Sequence, residues 1–168
     1  MTPIPLKLQP LTAEAFAPFG EVMETVHHGP EEINQGHTRK YAELARVDAG
    51  DEGGWPAVHI YRSMPVGLPL KIEVLERHPL GSQAFMPLQA NRFLIVVAPA
   101  GAAPAGSDVR GFFTNGRQGV NYFKGVWHHY QITVGEAADY LVIDRAGPAG
   151  NFQEHRLGRS LAIASLPW

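Results

Sequence analysis

The sequence predicts an all-β fold, an antiparallel sandwich or barrel preceded by one short helix. About ten short segments of strand character, separated by turn residues, follow one another along the chain. The 168 residues include 18 Gly and 14 Pro, a content that favours turns over long helices. Strands do not alternate with long helices, as a parallel α/β sheet requires. The length suits one domain, which we expect to span residues 1–168.

The helix is predicted in "LTAEAFAPFG" near the N-terminus. Thr12 can cap it, Glu14 lies in its first turn, and Gly20 suits its C-terminal end. Pro18 keeps it short.

The strand segments differ in how much of their surface is apolar. "FLIVVA" is apolar on both faces, which is typical of a central strand covered by the core on one side and by a second sheet or a partner chain on the other. "PAGAAPAGSD" is predicted to be a hairpin connection. The tail "NFQEHRLGRSLAIASLPW" is compatible with either a short helix or an edge strand. The predicted strands are "EVMETV", "YAELARV", "AVHIYRS", "PLKIEVLE", "QAFMPL", "RFLIVVA", "RGFFTN", "GVNYF", "VWHHYQITV" and "DYLVID".

Composition argues against several classes of protein. The net charge is −2 and no run of Lys or Arg could follow a phosphate backbone, so nucleic acid is not an expected partner. The chain has no Cys and therefore neither disulfides nor a thiolate zinc site. No apolar run approaches the roughly 20 residues that a bilayer requires, and we expect a cytoplasmic protein without a membrane partner.

In two predicted strands, charged or imidazole side chains share a face with apolar residues. With a period of two, Ile72 and Val74 share a side with Glu76 and His78, which places the carboxylate and the imidazole inward. In "KGVWHHYQITV", Val126, His128, Tyr130 and Ile132 alternate onto one side. Trp127 and His129 then face away, toward solvent or a subunit contact. Inside a small barrel such inward residues converge on one pocket.

The spacing of these residues resembles the two motifs of the cupin family, H-x-H-x3–4-E followed by G-x-x-H. Glu76, His78 and Gln83 fall on the first motif, with Glu in place of the first His and Gln in place of the acid. Gly125 and His128 match the second motif. The resemblance implies a double-stranded β-helix barrel. Its candidate metal ligands are Glu76, His78, Gln83 and His128.

Two forms of chemistry are open to this set. Its nitrogen and oxygen donors suit Ni, Mn or Zn. Alternatively, Glu76 and His78 act without metal, because burial and their mutual charge tune both groups for acid–base work.

A closer resemblance is to the ureidoglycolate lyase family. It is carried by "ERHPLGSQAFMPL", "TNGRQGVNY" and "VWHH", in this order, with an early "LTAEAFAPFGEV" and a late "IDR". The resemblance implies a homodimeric cupin of allantoin (purine) degradation that cleaves ureidoglycolate to glyoxylate and urea. Such an enzyme is a carbon–nitrogen lyase of the amidine-lyase class, commonly described with nickel.

The reaction assigns candidate roles to particular side chains. A base must remove the hydroxyl proton, an acid must protonate the leaving nitrogen, and cations or amides must hold the carboxylate. His78 or His128 is the predicted base, and Glu76 orients it or binds metal. Tyr122 and Lys124 are candidates for the acid or for an anion partner.

The remaining candidates would bind substrate. Arg62 shares a side with Val58 and Ile60 and would clamp the carboxylate in a bidentate fork. The "TNGRQG" turn presents Asn115 and Gln118, either at the barrel mouth or simply as turn residues. Gln83 is the last of these candidates.

Two other functions fit the sequence: a metal-dependent cupin acting on another small hydroxy or keto acid, and a cupin that binds a small molecule without turnover. Five further histidines have no partner at ligand spacing and are expected to be surface or packing residues, although the face occupied by His59 is not fixed by the pattern. They are His27, His28, His37, His59 and His155.

Overall fold

The structure is a computed structural model that describes residues 2–26 and 28–168, so His27 lies outside the described residues. Thr12 caps the helix as predicted, because its Oγ1 accepts a hydrogen bond of 3.1 Å from the Ala15 amide. The helix, α1, covers Ala13–Phe16. In the part of the chain described, no helix is long and apolar enough to cross a membrane.

The all-β prediction is confirmed. Fifteen strands are present in the described ranges: β1 Ile4–Pro5, β2 Leu8–Pro10, β3 Gly20–Met23, β4 Glu31–Ile33, β5 Thr38–Lys40, β6 Trp55–Ser63, β7 Leu70–Arg77, β8 Gln83–Pro87, β9 Phe93–Ala98, β10 Arg110–Phe113, β11 Gly119–Tyr122, β12 Trp127–His128, β13 Ile132–Thr133, β14 Ala138–Ala146 and β15 Gln153–Ile163. Single 3₁₀ turns occupy Asn34–Gly36, Asp51–Gly53 and Gly106–Asp108.

Two curled sheets form the barrel. The larger has eight strands in the order β1-β15-β7-β12-β9-β10-β2, with β13 also paired to β9. The smaller has the order β3-β11-β8-β14-β6. Strands β4 and β5 form a separate two-stranded hairpin. A half-barrel of this kind agrees with the cupin-type architecture expected from the sequence.

Strand β9 separates two apolar clusters. Phe93, Ile95 and Val97 pack between the sheets, whereas Leu94, Val96 and Ala98 pack in a second cluster on the other side of β9. The central strand is therefore covered on both faces by this chain itself, and its second apolar face requires no partner.

Several local expectations are corrected by the structure. "YAELARV" is not a strand, and the open tail forms the eleven-residue strand β15 between β1 and β7. Trp127 and His129 are not at a solvent or subunit surface, because they are 4% and 6% exposed within this chain. The indole N–H of Trp127 donates to the Ala102 carbonyl.

The alternation predicted for β7 is also interrupted. Ile72 packs with Leu75 in the second cluster, whereas Glu76 lines a pocket. The neighbouring strand β15 shifts register between Arg156 and Leu161, opposite this part of β7. A bulge of this type moves the following side chains to the other face.

Helix α1 covers one side of the apolar cluster between the two sheets. Its Phe16 is fully buried against Phe19, Phe112 and Tyr122. We expect Phe16→Ala to lower the free energy of unfolding by about 3–5 kcal/mol, because it leaves a cavity that the barrel cannot fill. Urea denaturation measures the change. Phe123→Ala removes a ring that is 41% exposed and is the control. A smaller loss for Phe16→Ala than for Phe123→Ala would contradict this account.

Candidate active site

A cavity of about 540 Å³ opens between the two sheets. Strand β7 of the larger sheet and strands β6 and β8 of the smaller sheet supply its walls, and the turn between β12 and β13 adds its rim. The lining residues are Tyr61, Arg62, Ser63, Glu76, His78, Gln83, Phe85, Tyr130 and Gln131.

Glu76, His78 and His128 come together beside this cavity: Glu76 and His78 line it, and His128 is buried behind them. Strands β12 and β7 pair so that His128 lies directly opposite Glu76, and His78 follows the end of β7. One ligand atom from each of the three residues lies within 4.8 Å of the others, and the two imidazole rings are 5.3 Å apart. The sequence spacing predicted this convergence.

The hydrogen bonds of both imidazoles leave the same nitrogen free. His78 Nδ1 lies 2.7 Å from the Asn151 carbonyl, and His128 Nδ1 lies 3.2 Å from the His129 carbonyl. Carbonyl oxygens only accept, so each Nδ1 carries a hydrogen, and Nε2 carries the lone pair in the neutral form of each ring. Both Nε2 atoms are buried without a partner. Nitrogens oriented in this way by a second hydrogen bond are typical metal ligands. In His128 the nitrogen recorded nearest to Glu76 is Nδ1, 3.9 Å from Oε1.

The charges of the three residues also suit a metal. The pKa of His128 falls to about 3, mainly because its ring is buried, and the charge of His78 adds to the shift. His128 is therefore neutral near pH 7, as a ligand must be. Burial raises the pKa of Glu76, and the charge of His78 opposes this change. The three side chains thus fit a divalent metal ion.

Tyr122 supports His128 from behind. Its ring stacks on the imidazole at 4.4 Å with an interplanar angle of 3°, and its side chain is 4% exposed. Burial raises the pKa of the Tyr122 hydroxyl, which stays protonated. The structure stacks Tyr122 on His128 but does not bring this candidate acid to the cavity wall.

Gln83 reaches the cavity from the start of β8. It is 5% exposed, and its Nε2 donates a hydrogen bond of 3.3 Å to Asp144 Oδ2. Its Oε1 is buried without a partner. The amide oxygen is therefore the atom of Gln83 that is available to a ligand.

The inward orientation expected for Arg62 is corrected. Val58 and Ile60, on the same face of β6, are 67% and 57% exposed, so this apolar face lies on the outside of the sheet. The guanidinium of Arg62 makes two hydrogen bonds of 2.8 Å to Asp139, and these bonds hold the pKa of that carboxyl below its usual range. A substrate carboxylate would have to displace Asp139 from Arg62 at the rim.

Lys124 lies away from the cavity. Its ammonium contacts Asp51 at 2.6 Å and Asp48 at 3.2 Å, and it borders a separate surface depression with Glu21 and Arg46. These carboxylates belong to the segment that leads into β6. Lys124 therefore holds this segment against the barrel and is not brought to Glu76 or His78.

Asn115 and Gln118 stabilise the turn between β10 and β11. The Asn115 amide donates to Gln118 Oε1, and Asn115 Oδ1 accepts from the Arg117 amide. Gln118 Nε2 also donates to the Leu11 carbonyl and to Glu24. Neither side chain lines the cavity, which agrees with the simpler interpretation of "TNGRQG" as a turn.

Several residues on the inner face of β6 and at the rim of the cavity have no role assigned from the sequence. Tyr61 and His59 lie on the inner face of β6, because their partners across the sheet, Tyr140 and Val142, are fully buried. Tyr130 and Gln131 reach the rim from the turn after β12. The sequence does carry a signal for this inner face. His59 and Tyr61 alternate along β6 with Val58 and Ile60, so the two pairs must lie on opposite faces of the strand.

Comparison with known proteins identifies the family. The sequence model of the family described as "Ureidoglycolate lyase" matches residues 3–164. The chain belongs to the ureidoglycolate lyase family. A protein named ureidoglycolate lyase from Burkholderia mallei (strain NCTC 10229) is 51% identical over 156 residues, covering 93% of this chain and 91% of its own length.

Two pseudomonad members of the family are similar to the same degree. The ureidoglycolate lyase of Pseudomonas aeruginosa (strain LESB58) is 51% identical over 150 residues, or 89% of each chain. That of Pseudomonas putida (strain W619) is 50% identical over 150 residues, covering 89% of this chain and 90% of the relative. The resemblance inferred from the motifs is thus confirmed over nearly the whole chain.

Proposed function

We propose that this protein is a carbon–nitrogen lyase that cleaves ureidoglycolate to glyoxylate and urea in allantoin degradation. The observation that carries the proposal is the convergence of Glu76, His78 and His128 at a 540 Å³ cavity in a member of this family. The cavity is large enough for a substrate of this size.

The reaction needs proton transfer and no water. Removal of the hydroxyl proton lets the carbon–oxygen electrons form the carbonyl of glyoxylate. The carbon–nitrogen bond breaks, its electron pair goes to the ureido nitrogen, and that nitrogen takes up a proton to leave as urea. The site therefore needs a proton acceptor close to the hydroxyl.

We propose that Glu76, His78 and His128 hold a divalent metal, with nickel as the ion implied by the family resemblance. When bound, this ion supplies positive charge that favours the deprotonated hydroxyl. The unpaired Nε2 atoms and the neutral state of His128 support the assignment.

Glu76 is then the best proton acceptor of the three. A histidine whose Nε2 binds a metal has no second lone pair at that atom, whereas a carboxylate has two oxygens. Glu76 lines the cavity and reaches a bound substrate. Without metal, His78 is the alternative base, because it lines the cavity whereas His128 is 2% exposed behind it.

The first test incubates the purified protein with ureidoglycolate and measures glyoxylate, urea and ammonia separately above the spontaneous rate. We expect equal amounts of glyoxylate and urea and no ammonia. No acceleration by folded, metal-supplemented protein would overturn the proposed activity.

We further propose a homodimer that forms through the outer face of the smaller sheet. Ile60, Leu141 and Met86 pair across β6, β14 and β8 and so form one apolar row, and Val58 and Ile143 continue it. Strand β6 is also an edge strand of nine residues. An exposed apolar face beside a long unpaired edge is a typical interaction surface. A second copy presents the same face, which suits two-fold pairing.

Ile60→Lys is expected to convert the dimer to a monomer, because it places a charge at the centre of this apolar row. Light scattering coupled to size-exclusion chromatography measures the mass. Ile4→Lys, at an apolar position 38% exposed on the larger sheet, is the matched control and should remain dimeric. A dimeric Ile60→Lys protein would place the interface elsewhere.

The cytoplasmic location of the protein stays a prediction.

A further inference from the structure

A second polar cluster adjoins the Glu76, His78 and His128 set, and Asp144 is its centre. Asp144 lies on the inner face of β14 with its side chain 19% exposed. Its Oδ2 accepts from Gln83 Nε2 at 3.3 Å, and its Oδ1 lies 3.2 Å from His59 Nε2. Tyr61 completes the cluster: burial raises the pKa of its hydroxyl, and the charges of Asp144 and Glu76 raise it further.

Asp144 determines which atom of Gln83 is free. The two ends of an amide have similar shapes but opposite hydrogen-bonding character. A carboxylate accepts hydrogen bonds and does not donate them, so the Gln83 amino group must point to Asp144. This leaves Oε1, which is buried and has no partner, as the polar atom of Gln83 at the cavity.

The free Oε1 requires a donor. The carboxylate and the carbonyl of ureidoglycolate only accept. Of its donors, the hydroxyl gives its proton to the base and the inner N–H lies at the bond that breaks, so the terminal NH₂ is the donor that takes no part in the reaction. A buried acceptor left without a donor costs about 1–3 kcal/mol, which favours a ligand carrying an N–H at this place. Sites that recognise a polar group in this way discriminate strongly against analogues that lack it.

We propose that Asp144 is a positioning residue that fixes the Gln83 amide so that Oε1 accepts a hydrogen bond from the terminal NH₂ of the ureido group. This inference rests on the proposed function and deepens it, because it says how the leaving urea is recognised. It also assigns Gln83 to substrate rather than to the metal. The metal ligands are then Glu76, His78 and His128 alone.

The test compares two analogues that the enzyme cannot cleave because they lack the hydroxyl. N-carbamoylglycine has the terminal NH₂, and N-acetylglycine has a methyl group in its place. We expect wild-type protein to bind N-carbamoylglycine at least tenfold more tightly by isothermal titration calorimetry. Asp144→Asn lets the Gln83 amide rotate, because Asn can both donate and accept, and should reduce the preference about twofold, since two equally populated orientations halve the fraction that offers Oε1.

Three further variants separate this role from a structural one. Gln83→Met should remove the preference while leaving the affinity for N-acetylglycine unchanged. Asp144→Glu, which keeps the carboxylate, should retain part of the preference. His59→Gln leaves the Asp144–Gln83 bond in place and should retain all of it. Circular dichroism checks that each variant is folded.

Two results would overturn the inference: a tenfold preference that survives in Gln83→Met, or an equal loss of affinity for both analogues in Asp144→Asn. Turnover of ureidoglycolate by wild-type protein is measured independently. Turnover without any analogue preference would refute only the role of Asp144 and Gln83. A preference without turnover would refute the proposed activity instead.

Discussion

The substitution His78→Asn is expected to reduce turnover of ureidoglycolate by about 10²- to 10⁴-fold. His78 lines the cavity, and its Nε2 is buried with a free lone pair. Asn removes that nitrogen, whether it binds a metal or accepts a proton. Initial rates of glyoxylate and urea release at saturating substrate measure the effect.

The matched control is His155→Asn, which alters a histidine on β15 that packs against Trp127 and does not line the cavity. It should leave turnover within about twofold of wild type. Equal losses in both variants would indicate a general effect on folding and would contradict a specific role for His78.

A metal readout separates the two roles of His78. A metal present at 100 times its dissociation constant stabilises the folded state by about 2.7 kcal/mol. Thermal unfolding of chelated wild-type protein should therefore shift upward on addition of Ni²⁺, and His78→Asn should lose this shift. If turnover falls but the shift remains, His78 acts as a base and not as a ligand.

The sequence was sufficient to predict the fold class, and three of its four candidate metal ligands, Glu76, His78 and His128, lie together in the structure. Turn composition and strand spacing indicate an all-β chain, and "GVWH" with "ERH" aligns with known motif spacings. Local rules also located α1, because capping by Thr12 is a property of neighbouring residues.

The orientation of strands was less predictable, because a period of two does not say which face is inward. In β6 the apolar row of Val58 and Ile60 is exposed, whereas His59 and Tyr61 point inward. The usual rule that apolar residues lie inside fails there, as it does at surfaces that bind a partner.

Long-range contacts account for the other differences. The register shift opposite β7 depends on pairing with β15, about 80 residues later. Likewise, Lys124 meets Asp48 and Asp51 only because the segment before β6 folds back on the barrel. Neither contact leaves a local signal in the sequence.

Glu76→Gln is expected to lower kcat by about 10²- to 10⁴-fold with little change in KM. Gln has nearly the shape of Glu and keeps one oxygen, so substrate binding is preserved. It lacks the negative charge and the second oxygen that would take the hydroxyl proton. The control Glu73→Gln alters the same strand at a residue that faces Lys71 and Arg156, and it should not change kcat.

Metal content, measured on the same protein samples, decides how Glu76 acts. A loss of kcat with a full complement of metal would support proton transfer, since His78 and His128 would then suffice to retain the ion. Loss of both metal and turnover would make Glu76 a ligand first. Full kcat in Glu76→Gln would contradict both roles and would leave His78, through its free Nε2, as the base.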